Sequence, residues 1–229
     1  MRLVYYPLEL PVIENSTFSV LSVENSNTFS MSIRDIVEQI LGFDGSWVLS
    51  DHNKEFDFKK YVEFIQNPWI LDVNDRKLIN GLYSTLTQKA HLNGTDQKLQ
   101  EMNSQISQIL GELLFDEQIV DFDSTCIELK DIFKLFDIRF NMNSTDNLTQ
   151  KLEEYILLKV EYQNIKLFVL NQFIAYFTKE ELNELLLFSE REEVIILMIE
   201  RELAGREIPD KCRCLIVDSD LCEILIHVP

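Results

Sequence analysis

At 229 residues and 26.9 kDa the chain has room for one large domain or two small ones, and 46% hydrophobic residues with a mean hydropathy of −0.06 exclude intrinsic disorder. Its 21 basic and 39 acidic residues leave a net charge of −18 and a pI near 4.5, which as a sum argues against a nucleic-acid binder, whose footprint is a pI above about 9. No apolar run of about 18 residues is present to form a transmembrane helix.

The first residues, MRLVYYPLEL, lack the apolar core and small-residue cleavage site of a signal peptide. Four cysteines, Cys126, Cys212, Cys214 and Cys222, are too few in so long a chain for a disulfide scaffold and read as the reduced thiols of a cytoplasmic protein. Phe18-Ser-Val-Leu-Ser-Val reads as a strand. Ile33, Ile36, Val37, Ile40 and Leu41 recur at helical spacing, with Gly42 at the C′ position and Asp44-Gly45 as a turn. Trp47-Val-Leu and Glu55 to Lys59 read as a hairpin around Asp51 to Lys54, and Tyr61 to Ile65 is extended up to Asn67-Pro68.

From Asn74 to about Val120 there is no proline. Leu78, Leu82 and Leu86, then Leu99, Met102, Ile106, Ile109, Leu110, Leu113 and Leu114, mark a long antiparallel helix pair broken near Gly94. Thr125-x-x-Glu128 is a capping box for a helix from Cys126 to about Phe136. Ile138 to Met142 reads as a strand, and Ser144 or Thr145 as the cap of a helix reaching about Tyr162. Lys166 to Leu170, the capped helix Thr178 to Ser189, and Val194 to Ile199 form a β-α-β crossover with strands buried on both faces. Arg213 to Val217 and Cys222 to His227 read as terminal strands. The fold class is α/β, with a discontinuous head, 1–72 and 135–229, and an inserted α-helical arm, 73–134.

An α/β core directs attention to a phosphate loop. The six glycines match neither G-x-x-x-x-G-K-[ST] nor G-x-G-x-x-G. The strand ending Val169-Leu170-Asn171 has a Walker-B shape but closes on Asn where such a strand places a Mg²⁺-binding Asp. His52, His91 and His227 stand in no catalytic pattern with Ser, Cys or a carboxylate. Cys212-x-Cys214 with Cys222 and His227 is a poor zinc motif, because its spacing departs from C-x₂₋₄-C and alternate strand residues share a face anyway.

The sharpest local feature is Asp116-Glu-Gln-Ile-Val-Asp-Phe-Asp123, which gathers Asp116, Glu117, Asp121 and Asp123 into eight residues of a helix connection. Ca²⁺ takes six to eight oxygens in flexible geometry and suits such a cluster, although there is no EF-hand pattern. The strong competing reading is structural, with Asp123 as a helix cap and Asp116 and Glu117 as solvated surface. Basic residues group as Lys59 with Lys60, Lys130 with Lys134, and Lys151 with Lys159. They read either as an ordinary solvated face or as point charges for phosphate.

Asp51-His-Asn-Lys-Glu-Phe-Asp-Phe, then Phe64-Ile-Gln-Asn-Pro-Trp-Ile-Leu-Asp-Val-Asn-Asp-Arg-Lys-Leu-Ile, resembles the CRISPR-associated adaptation protein peculiar to subtype II-A systems. The acidic connection Glu112 to Asp123 and Leu167-Phe-Val-Leu-Asn171 followed by Phe177-Thr-Lys-Glu-Glu181 are similar to the same family, in the same order along the chain. The resemblance implies an ATPase-like α/β head without a working phosphate loop, plus a helical arm. It also implies a homotetrameric ring whose channel binds double-stranded DNA through its ends without sequence specificity, in support of spacer acquisition. Further implications are Ca²⁺ as cofactor, no catalytic activity, and the CRISPR integrase proteins and RNA-guided effector nuclease as partners.

On that resemblance Asp116, Glu117, Asp121 and Asp123 are the metal region, and Lys59, Lys60, Lys130, Lys134, Lys151 and Lys159 are the DNA-facing lysines. An acidic exterior around a lysine-lined channel is compatible with the net charge, because DNA feels local potential rather than a sum. Two other readings compete: a degenerate ATPase-like enzyme using the strand end at Asn171, and an acidic scaffold for protein partners.

Overall fold

The computed structural model describes residues 1–52, 54–115, 126–142, 147–203, 205–209 and 211–227. The chain divides into two compact units, 1–72 with 142–229, and 73–141.

The first unit is α/β. Its larger sheet has the order β10-β9-β3-β8-β7-β6, built from β3 (Phe18–Val23), β6 (Val62–Ile65), β7 (Leu167–Asn171), β8 (Ile195–Glu200), β9 (Arg213–Val217) and β10 (Glu223–His227). β9, β3, β8, β7 and β6 run parallel, and β10 closes the edge antiparallel to β9. All residues of β3 and β8 are buried, as continuous apolar runs covered on both faces should be. The crossover from β7 to β8 through α7 (Lys179–Arg191) is the one the sequence announces, with Thr178 and Glu181 satisfying each other's backbone N–H in the expected capping box.

A second, antiparallel sheet of order β2-β1-β4-β5 combines β1 (Arg2–Tyr5), β2 (Ile13–Glu14), β4 (Trp47–Asp51) and β5 (Lys54–Phe56). It shares one core with the larger sheet, in which Leu3, Tyr5, Trp47 and Leu49 pack with Val169, Leu197 and Leu215. α1 (Ser26–Leu41) is fastened there through the side chains of Trp47 and Gln39. Trp47 donates its indole N–H to Ser32 O at 3.0 Å, and the Gln39 carboxamide takes both backbone groups of Trp47, at 2.9 and 3.0 Å. A Cβ at Gly45 would stand 2.5 Å from Gln39 Cγ, so the glycine of the Asp-Gly turn serves close packing. Gly42, at φ 99, closes α1 in the left-handed cap its position announces.

Two local readings change in this unit. The second strand of the hairpin stops at Phe56, because the Asp57 carboxylate accepts from Lys59 N and starts the short helix α2 (Phe58–Tyr61). The helix read as capped by Ser144 or Thr145 is α6 (Leu148–Gln163), and its described N-cap is Asn147, which accepts from Gln150 N at 3.2 Å. Ser144 and Thr145 lie outside the described residues.

The second unit is helical, with α3 (Arg76–Leu92), α4 (Thr95–Leu114) and α5 (Leu129–Leu135). Gly94, in left-handed geometry, makes the tight turn of the expected α3–α4 pair. α5 begins later than the capping box at Thr125 implied, with Glu128 and Asp131 as the reciprocal pair instead. The expected strand 138–142 does not form. Both backbone groups of Phe140 are occupied by the carboxamide of Asn74, at 2.9 and 3.2 Å, in place of a neighbouring strand. That attachment keeps residues up to Asn141 with this unit, so the return to the first unit comes at Met142 rather than at 135. Asn103 holds both backbone groups of Ile127 in the same way, at 2.9 and 3.0 Å.

Candidate functional site

In parallel α/β sheets, ligands enter at the carboxyl ends of the strands. Here β3, β7 and β8 end on Val23, Asn171 and Glu200, beside a cavity of about 510 Å³ lined by Glu24, Gln172, Glu200, Arg201, Glu202 and Arg206. A phosphate at this place needs free N–H groups at the start of the next helix. Two of those of α1 are already taken, because the Asn25 side chain accepts from Asn27 N at 3.2 Å and Thr28 N at 3.1 Å. The β3–α1 turn is Glu24-Asn25-Ser26, with no glycine to let a phosphate approach. Arg201 is spent on Ser26 Oγ at 2.7 Å.

Glu200 is 1% exposed and lines the cavity. It accepts from Ile174 N at 2.9 Å and from Arg206 at 3.4 Å, tying the β7–α7 connection to the end of β8. Burial pushes its carboxyl above the ordinary range, against the lowering effect of those donors and of Arg206. A raised folded-state pKa means that the folded protein holds a proton the unfolded chain has released, so stability falls as pH rises from the ordinary value of 4.5 through the raised one. Glu200→Gln is expected to flatten that fall. Thermal melts of both proteins from pH 4.5 to neutrality check it, and parallel curves would refute it.

The sequence-selected lysines fall into different environments. Lys59 and Lys60 are exposed on α2, Lys59 lying over Gly42 and Lys60 at 3.5 Å from Asp57. Lys130 and Lys134 are exposed on α5, with Lys134 at 3.3 Å from Asp131. Lys151, on α6, is half-buried. Lys159, on the same helix, departs from the expectation. It is 4% exposed, lies 3.1 Å from Glu63, and sits over the Tyr155 ring, while Tyr155 O–H donates to the same Glu63 oxygen at 2.6 Å. A lysine so enclosed has no ammonium to present to a phosphate. Sequence reasoning missed this carboxylate–phenol–ammonium group, for which Glu63 inside an otherwise apolar strand was the one signal.

Asp116, Glu117, Asp121 and Asp123 lie outside the described residues. Their donor set is all oxygen, the chemistry of a hard divalent cation. Among the described residues no three His, Cys, Asp or Glu side chains gather as metal ligands. Cys212 and Cys214 are buried, and burial pushes the Cys214 thiol up to about 11. No helix among the described residues is long and apolar enough to cross a membrane.

A mainly parallel α/β unit and a separate helical unit, with no glycine-rich phosphate loop in the sequence, define a two-unit α/β protein. Residues 39–221 match the family described as CRISPR-associated protein (Cas_Csn2), and the chain belongs to that family, which is the subtype II-A adaptation protein expected from segments 51–58, 64–79, 112–123, 167–171 and 177–181. None of the curated proteins matches the chain.

Proposed function

We propose that the protein is a non-catalytic binder of double-stranded DNA, acting in spacer acquisition as a homotetrameric ring that carries calcium. The observation carrying this reading is the family match over residues 39–221. Three features support it. The carboxyl edge of the parallel sheet has an acidic lining and a capped helix start, which disfavours nucleotide binding. None of the described residues of α4 is buried, and Leu113 and Phe115 are 70% and 88% exposed. An apolar helix face of this kind marks an association surface, and a second copy of the chain is the partner that a closed ring provides. Finally, Lys59, Lys60, Lys130 and Lys134 are exposed point charges of the kind that contact phosphates without reading bases. Asp116, Glu117, Asp121 and Asp123 would hold the calcium, which supplies positive charge where four carboxylates repel one another.

Salt titration tests the DNA reading. Log K for linear duplex DNA is expected to fall linearly with log salt, and Lys59→Ala with Lys60→Ala is expected to lower that slope by about one unit for each phosphate left without its lysine. A wild-type protein indifferent to linear duplex DNA in calcium overturns it. Hydrolysis of nucleotide abolished by Asn171→Ala would favour the ATPase-like reading instead.

A further inference from the structure

At the opposite, amino-terminal end of the larger sheet lies a second cavity, of about 560 Å³. The chain enters β3 through Asn15, Ser16 and Thr17, β8 through Glu193, and β9 through Lys211, and all of these line it. Arg213, the first residue of β9, forms part of its wall and is 8% exposed. One of its terminal nitrogens donates to Pro11 O at 2.8 Å, but its Nε is buried with no hydrogen-bond partner. Among the described residues no carboxylate pairs with it within ion-pair distance. A buried guanidinium without a counter-charge is costly, and its fork of donors matches the two oxygens of a carboxylate.

The remaining lining says what else the occupant carries. Phe18 and Leu186 are buried apolar side chains, and the exposed charges are the acids Glu14, Glu190 and Glu193 and the base Lys211. Glu14 pairs with Arg2 at 3.8 Å, whereas Glu190 and Glu193 have no ion-pair partner among the described residues. Three acids against one lysine leave the rim net acidic, which disfavours a purely anionic molecule. We infer that this cavity binds a small ω-amino carboxylate, with its carboxylate on Arg213, its aliphatic spacer against Phe18 and Leu186, and its ammonium at Glu190 and Glu193. This site is separate from the lysines and the carboxylate cluster of the proposed DNA-binding role, and does not depend on it.

The probe is 6-aminohexanoate, with hexanoate lacking the ammonium and hexylamine lacking the carboxylate. Isothermal titration of the full chain is expected to show saturable binding of 6-aminohexanoate, weakened about tenfold or more for either truncated analogue, each of which leaves a charged partner unsatisfied. Arg213→Lys keeps the charge but loses the fork and is expected to abolish the preference for the carboxylate. Should that variant fail to fold, the surface double variant Glu190→Gln with Glu193→Gln carries the test, and 6-aminohexanoate should then bind no better than hexanoate. Absence of saturable 6-aminohexanoate binding to the folded wild type overturns the inference, as does binding that neither set of changes alters.

Discussion

Chelating calcium is expected to take the protein from a particle of about four chains to smaller species and to weaken its hold on linear duplex DNA by about a hundredfold or more. On the proposed ring the loss should be large, because several lysine-bearing copies would act on one duplex and dispersing them would remove multivalency while each copy keeps its own lysines. Four carboxylates within eight residues repel one another unless a divalent ion sits among them. Sizing by light scattering, with and without chelator, on linear and on circular DNA, checks both parts. Replacing Asp121 and Asp123 by Asn should reproduce the effect of the chelator. An unchanged particle that keeps its DNA affinity in chelator would remove calcium from the account.

The second large effect concerns Lys159. Lys159→Met is expected to cost about 3 kcal/mol, since removing one partner leaves the Glu63 charge enclosed on β6. For a chain of this length that is a fall in Tm of about 6–12 °C. Its DNA salt slope should match the wild type. Lys60→Met should do the reverse, lowering the slope with almost no change in Tm, because its pairing with Asp57 is exposed. Thermal melts beside the salt titrations decide the matter, and a stable Lys159→Met protein with a reduced slope would return that residue to the DNA-facing set.

The contrast between these lysines shows what the sequence could carry. Lys151 and Lys159 are two turns apart on α6, which suggests one face. Eight residues at 3.6 per turn leave them about 80° apart, enough to place one half-buried and the other inside. The apolar runs of β7 and β8 were legible because burial on both faces removes polar alternation. β1 was not, because Arg2-Leu-Val-Tyr is short, and its pairing with β4 spans more than forty residues. Residues 138–142 carry the apolar pattern of a strand, but Asn74 offers Phe140 the hydrogen bonds that a strand neighbour would have supplied. The missing glycine pattern is a property of the sequence alone. The turn of Asn25 onto the first N–H groups of its own helix lies in side-chain geometry that no spacing encodes.

The carboxamide attachments at Trp47, Phe140 and Ile127 share one chemical property, which is neutrality. Counter-ions screen charges but leave amide-to-amide hydrogen bonds nearly untouched, and no proton equilibrium near neutrality acts on Asn or Gln. The segments they pin are therefore insulated from the ionic strength that DNA binding is measured against. A salt titration of this protein reads its charged surface and its assembly, with the internal latches of each unit held constant as a built-in control.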